Sequence, residues 1–124
     1  NDHIVRQFLI RVRQYSFTVR VEEEIEELLI AGESARIQAV AARLNMSSRT
    51  LQRRLEGERT IFMQLVDKHR KQLAHDALAH TERSITEIAY TIGFSDPSNF
   101  SRTCARWFGC SPAAYRRRIR QLPT

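Results

Sequence analysis

Two eight-residue stretches, "VAARLNMS" at 40–47 and "IAYTIGFS" at 88–95, align without a gap at an offset of 48 residues. Val40 matches Ile88, Ala41 matches Ala89, Leu44 matches Ile92, Met46 matches Phe94 and Ser47 matches Ser95. Each stretch reads as a small-residue helix that runs into a corner and then a candidate helix cap. Self-similarity at a fixed offset means that one supersecondary unit is used twice, and the fold must be built around both copies.

The first copy lies in "ARIQAVAARLNMSSRTLQRRLEGE", residues 35–58. Ile37, Val40, Ala41 and Leu44 give a short amphipathic helix, Asn45 and Met46 a tight corner, and Ser47 the N-cap of a second helix. At about 100° per residue, Leu51 and Leu55 share one side of that second helix while Arg49, Gln52 and Arg53 share the other. A short helix, a corner and a helix with a basic, amide-bearing outer face make a helix-turn-helix. The side chains suit DNA: from the major groove, Arg can hold guanine bidentately and Gln can hold adenine.

The second copy carries stronger punctuation. Ser84 and Glu87 make a capping box ahead of the apolar run. Gly93 stands at the corner, Asp96 is the expected N-cap, and Pro97 falls at the first helical position, where its missing N–H is harmless. Phe100, Cys104, Trp107 and Phe108 then share the core face, opposite Ser98, Asn99, Arg102 and Arg106. Gly109 ends this helix, and Ser111-Pro112 starts another that carries Tyr115 and the "RRRIR" run, whose arginines read as a solvated tail or as phosphate contacts.

Between the copies, Thr60–His80 holds no Gly or Pro and reads as one helix with Ile61, Phe62, Leu65, Val66, Leu73, Ala77 and Leu78 on its apolar face. About nineteen residues at 1.5 Å each span roughly 28 Å, comparable with the ~34 Å between successive major-groove faces. Such a rod suits two readers held apart. Upstream, Ile4, Val5, Phe8, Leu9 and Val12 form a first apolar stripe. Tyr15–Val21 alternates like a strand, but Phe17, Val21, Ile25, Leu28 and Leu29 fit one helix face ended by Gly32. With four Gly and three Pro in 124 residues, the expected fold class is all-α: two helix-turn-helix subdomains joined by a long linker helix.

Charge is divided along the chain. Residues 1–33 hold seven acids against four arginines, a net of −3, so a total of +6 leaves +9 on residues 34–124. The basic part is where an anionic partner would bind, and the Glu22–Glu27 cluster reads as the solvated face of its helix. His3, His69, His75 and His80 lack ligand spacing, so no metal is expected. Cys104 and Cys110 are too few and too close for a disulfide framework, which suits a reducing compartment such as the cytoplasm. No membrane span, signal peptide, phosphate-binding glycine loop or nucleophile–base arrangement is readable, so neither an enzyme nor a cofactor is expected. The first residue is Asn1 rather than Met, and the chain is read as a fragment.

The block "RTLQRRL", the run "SITEIAYTIGFSDPSNFSR" and the closing "RWFGCSPAAYR" resemble the DNA-binding domain of AraC/XylS transcription regulators over about residues 34–118. The resemblance implies a bacterial regulator whose two helix-turn-helix subdomains (about 36–56 and 84–108), linker helix (about 61–79) and C-terminal helix (about 111–120) bind two adjacent major-groove segments of promoter DNA. Carried over by position, Ser48, Arg49, Gln52 and Arg53 would face DNA from the first reader, with Arg54 beside them. From the second come Ser98, Asn99 and Arg102, with Arg106 on the same face. Residues 1–33 are then expected to be the linker and last helices of an upstream effector or dimerisation domain, and RNA polymerase a partner. Cys104 departs from the large apolar residue usual in this family. Short Pro97 and Ser98 imply that the first helix reads bases while the second mainly positions. The alternative is a helical interaction module whose basic faces dock an acidic protein.

Overall fold

The computed structural model describes residues 1–121, the side chains of residues 10–15 excepted. Val12 of the first stripe therefore lies outside the described side chains. Among the described residues there are eight helices and no strand: α1 (Asp2–Tyr15), α2 (Phe17–Ile30), α3 (Ile37–Arg43), α4 (Ser48–Gly57), α5 (Phe62–His80), α6 (Ile85–Ile92), α7 (Pro97–Phe108) and α8 (Pro112–Arg120). They gather into two compact units, one of residues 1–31 and 35–67, the other of residues 32–34 and 68–124.

In the first unit the strand-like alternation near Phe17 resolves as helix. Ser16 takes an extended conformation, and its hydroxyl accepts from the Val19 N–H, which starts α2. The face expected from the spacing, Phe17, Val21, Ile25, Leu28 and Leu29, is buried, and α2 packs on both α3 and α4. Val40 and Ala41 of α3, Leu51 and Leu55 of α4, and Phe62, Leu65 and Val66 at the start of α5 are buried as well. Full burial of a large apolar side chain stabilises by about 1.5–3 kcal/mol, so the five residues of α2 anchor it firmly. Gly32, at φ +78°, follows α2 in the left-handed region. The stripe of α1 has a different fate: Ile4, Val5, Phe8 and Leu9 are each more than half exposed.

The second unit is built on Ala74, Leu78, Ile88, Ala89, Ile92, Phe94, Phe100, Cys104 and Tyr115. Phe100 and Cys104 are fully buried, whereas Trp107 and Phe108 are half-buried at the margin. Phe108 stacks on Tyr115 with ring centroids 3.9 Å apart, and the Tyr115 hydroxyl is hydrogen-bonded to Nδ1 of His75 at 2.6 Å. That contact sits at a partly buried position of α5. Burial pushes the Cys104 thiol up to about 12, so it packs as a small hydrophobe instead of serving as a thiolate.

The arginine run of α8 is largely spent on the fold. Arg116 donates from Nε to the Leu78 carbonyl at 3.1 Å and from Nη2 to the Ala77 and Thr81 carbonyls at 3.4 and 3.3 Å. These carbonyls lie at and just beyond the end of α5, where helix carbonyls run out of intrahelical donors. Arg120 adds a bond to the Thr81 carbonyl and an ion pair with Glu82 at 3.4 Å. Arg118 donates to the carbonyl of Phe108 at 3.4 Å, at the end of α7.

Candidate nucleic-acid interface

Both copies of the repeat close their first helix in the same way. In the first unit Asn45 takes φ +57°, its N–H donates to the Ala42 carbonyl, and the Met46 N–H donates to the Ala41 carbonyl at 3.0 Å. In the second, Gly93 takes φ +103°, its N–H donates to the Tyr90 carbonyl, and the Phe94 N–H donates to the Ala89 carbonyl at 2.9 Å. Every partner pair is displaced by the 48 residues read from the sequence, and both corners are left-handed helix terminations. Asn is among the few residues besides Gly that adopt this backbone readily.

The register then changes. Ser47 caps α4, accepting from the Thr50 N–H at 3.1 Å. Its aligned partner Ser95 is not the cap of α7; Asp96 is, accepting from the Asn99 N–H at 2.9 Å, with Pro97 in the first helical position. One residue has been added between corner and cap. Beyond it, the buried pair Leu51 and Leu55 corresponds to Phe100 and Cys104, all four fully buried. Arg49 therefore corresponds to Ser98, Arg53 to Arg102, and Gln52 to Ser101, an exposed residue absent from the set picked out above. Two caps read together, Ser47 and Asp96, carried the signal for it.

On α4, Arg49, Gln52 and Arg53 are exposed and Ser48 is half-buried. Arg54 is exposed too, but its guanidinium carbon lies 4.0 Å from the centroid of the Phe17 ring, in a cation–π arrangement directed at α2. On α7, Ser98 and Arg102 are exposed and Asn99 is half-buried. These form a relay: Arg102 donates to Oδ1 of Asn99, and Nδ2 of Asn99 donates to Oδ2 of Asp96 and to Oγ of Ser95, both at 3.3 Å. Asp96 thus caps the helix and orients Asn99, which in turn orients the guanidinium of Arg102. Arg106 is exposed, with its guanidinium 5.8 Å from the centroid of Trp107.

Three acidic side chains of the first unit are engaged with partners away from these residues. Glu24 and Glu27 of α2 pair with Arg43 at 3.0 and 3.2 Å. Glu58 accepts from the Thr18 hydroxyl and from the Thr18 and Phe17 N–H groups at 2.9 and 3.2 Å. The bond from the Thr18 hydroxyl is the main cause that holds the Glu58 carboxyl below its ordinary 4.5. An open cavity of about 540 Å³ beside α4 is lined by Arg36, Gln38, Gln52, Glu56, Ile61 and Met63 among others. Its lining includes no nucleophile with an adjacent base. The chemistry on offer is hydrogen bonding from exposed guanidinium, amide and hydroxyl groups on two helix faces.

Residues 40–118 match the family described as a helix-turn-helix domain. The transcriptional regulator VirS of Mycobacterium tuberculosis is 39% identical over 79 residues, which are 64% of this chain and 23% of that protein. The chain thus spans about a quarter of the length of the curated relatives it matches. The crystallised DNA-binding domain of AdpA, a global transcriptional factor in complex with a target DNA, is 31% identical with a TM-score of 0.69, covering 82% of this chain and 89% of that one. A regulator of the AraC family from Rhodopseudomonas palustris is 30% identical with a TM-score of 0.69, covering 85% of this chain and 99% of that one.

Proposed function

This chain belongs to the AraC/XylS family of helix-turn-helix transcription regulators, and from that premise we propose that it binds promoter DNA through α4 and α7, each reading one of two adjacent major-groove segments. On α4, Arg49, Gln52 and Arg53 contact base edges, with Ser48 near the backbone. On α7, Ser98, Ser101 and Arg102 face the groove, Asn99 holds Arg102 in place, and Arg106 serves the backbone. No catalytic step is assigned to the chain. In the full-length regulator, residues 1–33 lead from an effector or dimerisation domain, and the promoter-bound protein meets RNA polymerase in the cytoplasm.

The observation that carries this reading is the duplicated face. Two helices with matching corners and matching buried pairs present exposed Arg49, Gln52 and Arg53, and exposed Ser98, Ser101 and Arg102, at equivalent positions. Selection from a random duplex library, followed by footprinting of the winner at two salt concentrations, tests it. Two protected segments about one helical turn apart, with affinity falling steeply as salt rises, are expected. Binding with no enriched sequence would instead favour the docking of an acidic protein.

A further inference from the structure

The side of α4 that faces away from Arg49, Gln52 and Arg53 is occupied by a different pair. Arg54 and Glu58 lie four residues apart, so their side chains leave the helix end on a common side. Both reach the first turn of α2. That turn has backbone N–H groups without intrahelical acceptors. Those of Phe17 and Thr18 donate to the Glu58 carboxylate and that of Val19 to the Ser16 hydroxyl, while the Arg20 N–H makes the first bond of the helix, to the Ser16 carbonyl. The Thr18 and Ser16 hydroxyls also donate to Glu58. Arg54 meanwhile covers the Phe17 ring at 4.0 Å. A carboxylate and a guanidinium from the end of the reading helix thus grip one helix start, each by its own chemistry.

We propose that Arg54 and Glu58 are positioning residues of the first reader: they clasp the start of α2 and so set the angle at which α4 presents Arg49, Gln52 and Arg53. The clasp touches no DNA. Glu58 fits this role because a carboxylate is the one common side chain that can accept from several N–H and O–H donors at once. Arg54 fits it because its guanidinium, though exposed, lies over an aromatic face within its own unit. A helix pinned by its buried Leu51 and Leu55 alone could still pivot about that axis, and a change of about an ångström in side-chain placement is enough to spoil a bidentate contact. The inference rests on α4 reading DNA, as proposed above.

The test is library selection and competition binding with the full chain and its Glu58→Gln, Arg54→Ala, Arg54→Lys and Thr18→Val variants, each shown by circular dichroism to be folded at the assay temperature. Expected for Glu58→Gln and Arg54→Ala is a loss of about three- to tenfold in discrimination within the segment read by α4. Preferences in the segment read by α7 and the salt slope should stay as in the parent chain, and Arg54→Lys should restore part of the loss. Thr18→Val removes only a hydroxyl donor, and it gives the same selective loss in smaller measure if Glu58→Gln fails to fold. Equal loss in both segments, no loss, or a salt slope flattened by about one on replacing Arg54 would overturn the clasp while leaving the DNA-reading proposal intact. A parent chain that selects no sequence would overturn both.

Discussion

Replacing Asp96 separates three effects that one side chain now combines. Its Oδ1 accepts from the Asn99 N–H at 2.9 Å and its Oδ2 from the Asn99 amide at 3.3 Å, at the N-terminal end of α7. Asp96→Ala removes an N-cap, worth about 1 kcal/mol, and a negative charge at a helix N-terminus, worth about 0.3–1 kcal/mol. Together they amount to about 1.5 kcal/mol, a modest part of the roughly 5–15 kcal/mol typical of a folded domain. The variant stays folded, and its Tm falls by about 6 °C at roughly 4 °C per kcal/mol for a chain of this size. Binding changes in two opposed ways. Loss of an acid near the phosphate backbone raises affinity for every duplex, whereas release of Asn99 and Arg102 lowers discrimination in the segment read by α7.

Asp96→Asn distinguishes these contributions, because Asn caps about as well as Asp but carries no charge. Its Tm should stay close to the parent value and its affinity for random duplex should rise as in the alanine variant, but its discrimination should fall, because its one acceptor oxygen is used by the cap and its amide replaces the oxygen that accepts from Asn99. Thermal unfolding by circular dichroism and competition binding against matched and scrambled duplexes are the assays. Asn and Ala variants with the same Tm would refute the capping argument, and discrimination by the Asn variant equal to that of the parent chain would refute the relay from Asp96 through Asn99 to Arg102.

Gln52→Ala and Arg53→Ala should each lose about 1–3 kcal/mol of discrimination at particular base pairs; equal weakening on every duplex would contradict base reading. Arg116→Ala should lower unfolding free energy by about 1–2 kcal/mol through the Leu78 carbonyl, which loses its Arg116 donor, with an unchanged salt slope of DNA binding, whereas a phosphate contact would flatten that slope by about one. The Glu58 carboxyl is held below its ordinary 4.5 in the folded chain, so its contribution is complete above that value and disappears as pH falls through the lower folded value. Stability measured by denaturant titration across this acid range should therefore decline less steeply in Glu58→Gln than in the parent chain. A Gly pair in the middle of α5, costing about 2 kcal/mol of helix propensity, should weaken two-site binding more than half-site binding, and equal effects would refute a spacer role for that helix.

How much of this was legible in the sequence depends on the range of the interaction. The corners, caps and buried faces are local, and the residues that specify them act within a few positions: Ser47, Ser84, Asp96 and Ser111 cap the helices they were expected to cap. The face of α2 followed from spacing alone. Ser101 was overlooked because the outer face of α7 was read from its own apolar stripe, opposite Phe100, Cys104, Trp107 and Phe108, and not by carrying Gln52 across from α4 through a connection whose length is free to vary. Nothing in the pattern of small and apolar residues measures that length. The caps do, since a helix begins where its first N–H groups find an acceptor, and the buried pairs Leu51 and Leu55, Phe100 and Cys104 obey the caps.

The arginines show where local reading ends. Arg49, Arg53, Arg54 and Arg116 are identical side chains and all belong to the strongly basic part of the chain, yet two lie on the exposed outer face of α4 and two have partners within the fold. What separates them is a partner distant in sequence: the Phe17 ring for Arg54, and the Leu78, Ala77 and Thr81 carbonyls for Arg116. The number of arginines therefore overstates the guanidinium contacts available to phosphate, since a guanidinium already sharing its donors with carbonyls gains less from a phosphate than one surrounded by water. Salt slopes measured arginine by arginine register that difference directly, because each counterion released on binding marks a charge that the fold had left available.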